Sequence, residues 1–114
     1  MILLIVLVNV VFLVAGQLLW KSALAKHPLK SVGDLWPLML QPTMLLGCLL
    51  FGLATVIWFY ALSKYDLSRV YPLQSMAYVI GAISGLLLFK ETMSTFQWVG
   101  LVLIVSGAVL VAKT

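Results

Sequence analysis

The sequence predicts an all-α integral membrane protein, a bundle of four transmembrane helices that works as a dimer. Two observations carry the membrane assignment. Of the 114 residues, 64% are hydrophobic and only 9% are charged, with a mean hydropathy of +1.19. A water-soluble domain of this length needs far more polar surface. The apolar residues also form long unbroken runs instead of alternating with period two. Lipid offers no partner for backbone polar groups, so a spanning chain is either helical or a closed barrel. Unbroken runs select helices. A third observation narrows the function. The formal net charge is +4, but the lysines flank apolar runs and form no basic tract. They read as membrane-end anchors, so no nucleic-acid partner is expected. Cys48 and His27 are the single cysteine and histidine. They leave no disulfide within one chain and no cysteine-based metal site. No phosphate-binding loop or nucleophile triad is present, so neither a cofactor, a metal nor an enzymatic step is expected.

The chain reads as one domain over residues 1–114. The first helix is expected over about residues 2–20, which at ~1.5 Å per residue gives roughly 28 Å, enough to cross a hydrocarbon core. No charged stretch precedes it and no small-residue cleavage site follows it, so it is expected to be retained and not removed as a signal peptide. Asn9, Gly16, Gln17 and Lys21 fall near one face. Asn9 and Gln17 either bond neighbouring helices or line a polar path, and Lys21 either anchors the helix end or joins that path; spacing leaves both readings open. Residues 21–41 are the longest polar stretch, broken by Pro28, Gly33 and Pro37, and read as a solvated loop carrying Lys26, His27 and Lys30. Trp36 suits the headgroup belt.

A second helix is expected over about residues 43–62. Gly47, Cys48, Gly52, Thr55 and Phe59 follow three- and four-residue steps, a face suited to close packing. Trp58, Phe59 and Tyr60 form either an interfacial belt or a cavity wall. The third helix is expected over about residues 70–89, with Pro72 confined to its first turn and Tyr71 as cap. Tyr71, Gln74, Ser75 and Tyr78 make a polar stripe that continues as Gly81, Ala82 and Gly85. Acyl chains cannot satisfy such a stripe, so it lies at a helix interface or along a cavity. A short polar turn at residues 90–94 forces an antiparallel fourth helix over about residues 95–112. Its Gly100, Ile104 and Gly107 form a seam for another helix. Four spans put both chain ends on one side, with Lys64, Arg69 and Lys113. Lys21, Lys26, Lys30 and Lys90 lie on the other, too even a division to fix orientation.

These residues carry a resemblance over nearly the whole chain. Gly16-Gln17-Leu18-Leu19-Trp20-Lys21, Tyr71-Pro72-Leu73-Gln74-Ser75, Phe89-Lys90-Glu91 and the run from Gly100 through Ile104 to Gly107 resemble the drug/metabolite transporter superfamily. The similarity is to its four-helix branch, typified by small multidrug resistance proteins. Exporters of that branch carry a glutamate in mid-helix 1 that binds protons and cationic substrate in turn. Counting back from Gly16 and Lys21, that position is Leu13. The acids are Asp34, Asp66 and Glu91, all in expected loops or turns. Leu13 cannot exchange a proton for a cation.

Within the branch, Gly16-Gln17-Leu18 with Lys21, and Tyr71-Pro72 with Ser75, look most like the paired subunits that flip aminoarabinose-phosphoundecaprenol. The resemblance implies an inner-membrane, multi-pass flippase subunit for a polyprenyl-phosphate-linked sugar, working by alternating access beside membrane lipids. It implies a homodimer, or a heterodimer with a similar four-helix subunit, paired through Gly100, Ile104 and Gly107. Lys21 and Arg69 are the implied phosphate contacts. Gln17, Tyr71, Gln74, Ser75 and Tyr78 are implied to bond the sugar, and Trp20 and Tyr60 to stack on it. Two other readings compete: an exporter of small cations, polyamines or drugs, and an accessory subunit that transports nothing and uses the helix 3 stripe wholly in packing.

Overall fold

A computed structural model describes residues 2–113. The elements are α1 (Ile2–Lys26), a 3-10 turn (Val32–Asp34), α2 (Leu35–Met39), α3 (Pro42–Lys64), α4 (Leu67–Gln74), α5 (Met76–Leu88) and α6 (Thr95–Lys113). Four helical stretches are long and apolar enough to cross a membrane: α1, α3, α4 with α5 taken together, and α6. No strand occurs among the described residues. The molecule measures 47 × 37 × 21 Å. The shortest dimension is about two helix diameters, so the helices form a slab.

Local chemistry explains the helix ends. α1 continues past Trp20 to Lys26, beyond the expected end near residue 20. Ala23, Leu24, Ala25 and Lys26 are strong helix formers, and the helix stops where His27 precedes Pro28, a position that disfavours helical backbone. The added turn is packed: Ala23 is buried with Leu38 of α2 and Met44 of α3. The stretch read as a solvated loop is therefore partly ordered against the bundle. Asp34 Oδ2 accepts the backbone N–H groups of Lys30 at 2.9 Å and Ser31 at 3.2 Å, while Lys26, His27 and Lys30 stay exposed. α3 opens on Pro42, where the missing N–H costs nothing. At the start of α6, Ser94 Oγ accepts the Gln97 N–H at 3.3 Å. Gln97 Oε1 accepts the Ser94 N–H at 2.7 Å, a reciprocal cap.

The third span differs from expectation at its start. It begins at Leu67, not near residue 70, with Asp66 in extended backbone as its N-cap. Pro72 therefore lies inside α4 instead of in its first turn, and Tyr71 is no cap. The helix is interrupted at Ser75, where Ser75 N–H bonds Pro72 O at 3.1 Å and Tyr78 N–H bonds Ser75 O at 2.9 Å. These three-residue steps tighten the chain and separate α4 from α5.

Packing is tightest between α1 and α3, which run antiparallel. Asn9 meets Ala54, Gly16 meets Gly47 and Trp20 meets Met44; residue numbers rise along one helix and fall along the other. Asn9, Gly16 and Ala23 recur every seven residues on α1, and Gly47, Ala54 and Ala61 do so on α3; all six are buried. The face expected on the second helix is thus corrected. Gly47 belongs to it, but Gly52 is exposed with nothing near its Cβ position. α1 and α5 run parallel, and α6 packs on α4 and α5. A core of Val6, Val10, Val14, Ala61, Val70 and Leu73 joins α1, α3 and α4. α6 contributes little to it, and Ala108 is its only buried residue among those described.

Candidate functional site

The polar side chains of α1 and of the third span meet in two places. The deeper one is a hydrogen-bonded relay. Asn9, 1% exposed, donates from Nδ2 to Ala54 O at 2.6 Å. Its Oδ1 accepts from Gln74 Nε2 at 3.0 Å. One amide thus ties α1 to α3 and α4. Beside it, Tyr71, Pro72, Gln74, Ser75, Ala77 and Tyr78 line a hollow of about 140 Å³ whose α1 wall is Leu13. The stripe read along the third span is therefore gathered against Leu13 of α1. Tyr71 and Tyr78 are exposed, and the Tyr71 ring meets Trp58 edge-on at 6.1 Å.

The second place is a groove of about 250 Å³ between α1 and α5, lined by Val14, Gln17, Leu18, Lys21, Gly81, Gly85, Phe89 and Glu91. Gln17 and Lys21 are one helical turn apart, which puts both on this wall. Lys21 Nζ lies 2.9 Å from Glu91 Oε2 and 5.9 Å from the Phe89 ring centroid. Glu91 is the residue that reading the sequence missed, because it was placed in a polar turn. The turn folds it back: the N–H groups of Phe89 and Glu91 both reach Gly85 O, at 3.0 and 3.4 Å. Lys90 supplies the reversal with a left-handed φ of 54°. The available signal was Gly85. A Cβ there would lie 2.5 Å from Glu91 Oε1, so glycine lets the carboxylate rest where it does without shifting. Gly81 and Gly85 both line this groove, and within the subunit a Cβ on Gly81 would meet nothing.

The other candidates lie elsewhere. Trp20 does not line either place. Its Nε1 donates to Met44 O at 3.2 Å, its ring stacks on Phe51 at 5.2 Å, and Gly47 makes room for it. Tyr60 sits near the far end of α3, exposed, with Lys64 Nζ 5.9 Å from its ring. Arg69 lies in α4, also at the end opposite Lys21, and its Nε is buried with no hydrogen-bond partner among the described residues. The structure therefore does not bring Lys21, Tyr60 and Arg69 together within one subunit. A third groove, almost wholly apolar and about 430 Å³, runs between α5 and α6 from Met76 to Val105 and Val109. On α6, Gly100 and Gly107 have nothing within 4 Å of their Cβ positions. Ile104 lines a hollow with Ala82, Glu91 and Gly100. No cluster of His, Cys, Asp or Glu able to hold a metal ion occurs among the described residues.

Four lipid-length helices, with polar side chains collected in open grooves along their flanks, define a small multi-pass membrane transporter. The chain belongs to the EamA-like transporter family, whose model matches residues 2–113. It is 30% identical over 96 residues, 84% of this chain and 83% of the relative, to a probable 4-amino-4-deoxy-L-arabinose-phosphoundecaprenol flippase subunit ArnE of Aeromonas salmonicida. It is also similar to probable subunits ArnF of the same named flippase. That of Sodalis glossinidius is 32% identical over 92% of this chain and 85% of the relative. That of Erwinia tasmaniensis is 36% identical over 90% of this chain and 87% of the relative. No solved structure gives a significant match.

Proposed function

We propose that the protein is one subunit of a dimeric flippase that carries a polyprenyl-phosphate-linked sugar across the cytoplasmic membrane by alternating access, making and breaking no covalent bond. The observation that carries this reading is the α1–α5 groove, where one cation, Lys21, paired with Glu91 at the groove's end, stands a turn from one neutral amide, Gln17. The α1 side chains of this groove and of the neighbouring hollow, Leu13 included, carry no acid. The polyprenyl tail stays in lipid throughout. The phosphate and the sugar cannot, because moving a bare phosphate through hydrocarbon costs many kcal/mol. A path for them needs a cation for the phosphate and neutral donors for the hydroxyls. Lys21 supplies the first. Gln17 supplies the second, joined on the adjoining face by Tyr71, Gln74, Ser75 and Tyr78. The names of the relatives support a lipid-linked aminosugar as the cargo. The lack of an acid in the α1 wall weighs against a proton-coupled cation exporter.

Size supports a pair of subunits. The polar hollows hold about 250 and 140 Å³, below the ~300–1,000 Å³ of pockets that enclose ligands of moderate size. A partner of similar fold, the same chain or a second one, would supply the missing wall. Mass spectrometry of lipids that co-purify in mild detergent tests the reading. A polyprenyl-phosphate glycolipid is expected with the wild type and lost with Gln17→Leu. Bulk phospholipid alone in both samples would overturn it. In reconstituted vesicles, Lys21→Gln is expected to reduce transport of the glycolipid at least tenfold, whereas Lys113→Gln leaves most of it. Equal losses would make Lys21 a mere anchor.

A further inference from the structure

We propose that Glu91 is an internal competitor for the phosphate site: its carboxylate occupies Lys21 in the empty subunit and must be displaced by the phosphate of the cargo. This inference rests on the assignment of Lys21 to phosphate binding. The Lys21–Glu91 pair, at 2.9 Å, is the single ion pair among the described residues. It joins the end of the first span to the turn between the third and fourth. An ordinary surface pair forms where two long side chains happen to meet. This one is built. The Glu91 backbone folds onto Gly85 O, Lys90 adopts a left-handed conformation to permit it, and the carboxylate rests against the open side of Gly85, 2.5 Å from where a Cβ would stand. Glu91 also lies on the groove wall with Gln17 and Lys21, so it stands where a ligand of Lys21 would stand.

The chemistry follows from the two oxyanions. A carboxylate and a phosphoryl group both present acceptor oxygens to one ammonium. Lys21 is a point charge with three donors; two oxyanions could reach it, but their mutual repulsion around a single charge weakens the hold on each. Binding therefore exchanges one anion for the other. A half-exposed ion pair contributes little, so a phosphate with further contacts to Gln17 displaces the carboxylate, whereas a weakly held anion does not. Glu91 thereby acts as a specificity-determining residue, rejecting anions that Lys21 alone would accept. Displacement also frees the turn before α6 from α1, coupling occupancy of the groove to the position of the fourth span.

The test is titration of the full-length protein in detergent with farnesyl phosphate, with farnesol and inorganic phosphate as companion probes. Glu91→Gln removes the charge and keeps the shape. Gly85→Ala puts a Cβ 2.5 Å from the place Glu91 Oε1 occupies, so the carboxylate must shift, and leaves Glu91 in the sequence. Both are expected to lower the Kd for farnesyl phosphate about two- to fivefold, the loss of one exposed ion pair, and to leave farnesol binding unchanged. Lys21→Gln is expected to weaken farnesyl phosphate in every background. Unchanged affinity in Glu91→Gln and Gly85→Ala, with weakening in Lys21→Gln, would overturn the competitor and spare the phosphate site. No effect of Lys21→Gln would remove both. An equal gain for farnesol would overturn the proposal by showing that charge was not what was exchanged. Displacement of farnesyl phosphate by equimolar inorganic phosphate would assign the site to a free anion and overturn the lipid headgroup as the competing ligand.

Discussion

Asn9 shows how much one side chain holds in this molecule. Its amide donates to the α3 backbone and accepts from Gln74, in surroundings where neither group has water as an alternative. Hydrogen bonds between membrane helices contribute ~0.6–2 kcal/mol each. Asn9→Leu loses both bonds and leaves the Gln74 amide without its partner, so it is expected to destabilise the fold by about 1–2 kcal/mol. Gln74→Leu leaves the bond to Ala54 in place and is expected to cost roughly half as much. Thermal unfolding in detergent checks the order; an equal or larger loss in Gln74→Leu would show that Ala54 is not the main partner. The sequence marked Asn9 and Gln74 as polar groups needing partners but could not match them, because they lie 65 positions apart and periodicity carries no information across that distance. Glu91 escaped for the opposite reason. Its neighbours in sequence are polar, and only the left-handed turn at Lys90 and the vacant side of Gly85 bring its carboxylate back over α5.

Between elements, the α1–α3 contact is set by backbone proximity. A Cβ on Gly16 would lie 2.8 Å from Gly47 O, and one on Gly47 would lie 2.9 Å from Gly16 O and 2.6 Å from the Trp20 ring. Backbone cannot swing aside as a side chain can, so either methyl group forces the helices apart. Gly16→Ala and Gly47→Ala are each expected to destabilise by about 1–3 kcal/mol. Gly52→Ala, with open space around it, is expected to be neutral or slightly stabilising through helix propensity. Denaturation midpoints in detergent separate the three, and a loss in Gly52→Ala matching the others would mean the effect is not steric. The four spans themselves were legible from run length. The packing face of α3 was only half legible, because Gly47 was conspicuous while its true companions, Ala54 and Ala61, looked like ordinary members of an apolar run. The break at Ser75 was hidden for a related reason. Pro72 suggests a helix start, yet the helix already begins after Asp66 and Pro72 is absorbed inside it.

The whole molecule leaves one span poorly employed. α6 packs on α4 and α5 and buries only Ala108 among its described residues, while Val102, Leu103, Val105, Val109 and Leu110 are exposed. Lipid accepts such a surface, so apolar exposure alone does not call for a protein partner. The small residues do. Gly100 and Gly107 cost helix propensity and nothing within the subunit uses the space they leave; in lipid, association rests on close backbone approach at such positions. We therefore expect a second subunit to seat its own α6 there, through the same patch on both partners if the pair is symmetric. Gly100→Leu combined with Gly107→Leu is the decisive variant. Because a Cβ at either position meets nothing within 4 Å in its own subunit, helicity by circular dichroism and the unfolding midpoint of the monomer are expected to stay near wild-type values. Dimer formation, read by energy transfer between labelled subunits in lipid, is expected to fall at least tenfold, and flipping with it. Wild-type energy transfer in the double variant would move the interface to another face. Loss of dimer together with loss of helicity would show that the two glycines serve the subunit's own fold.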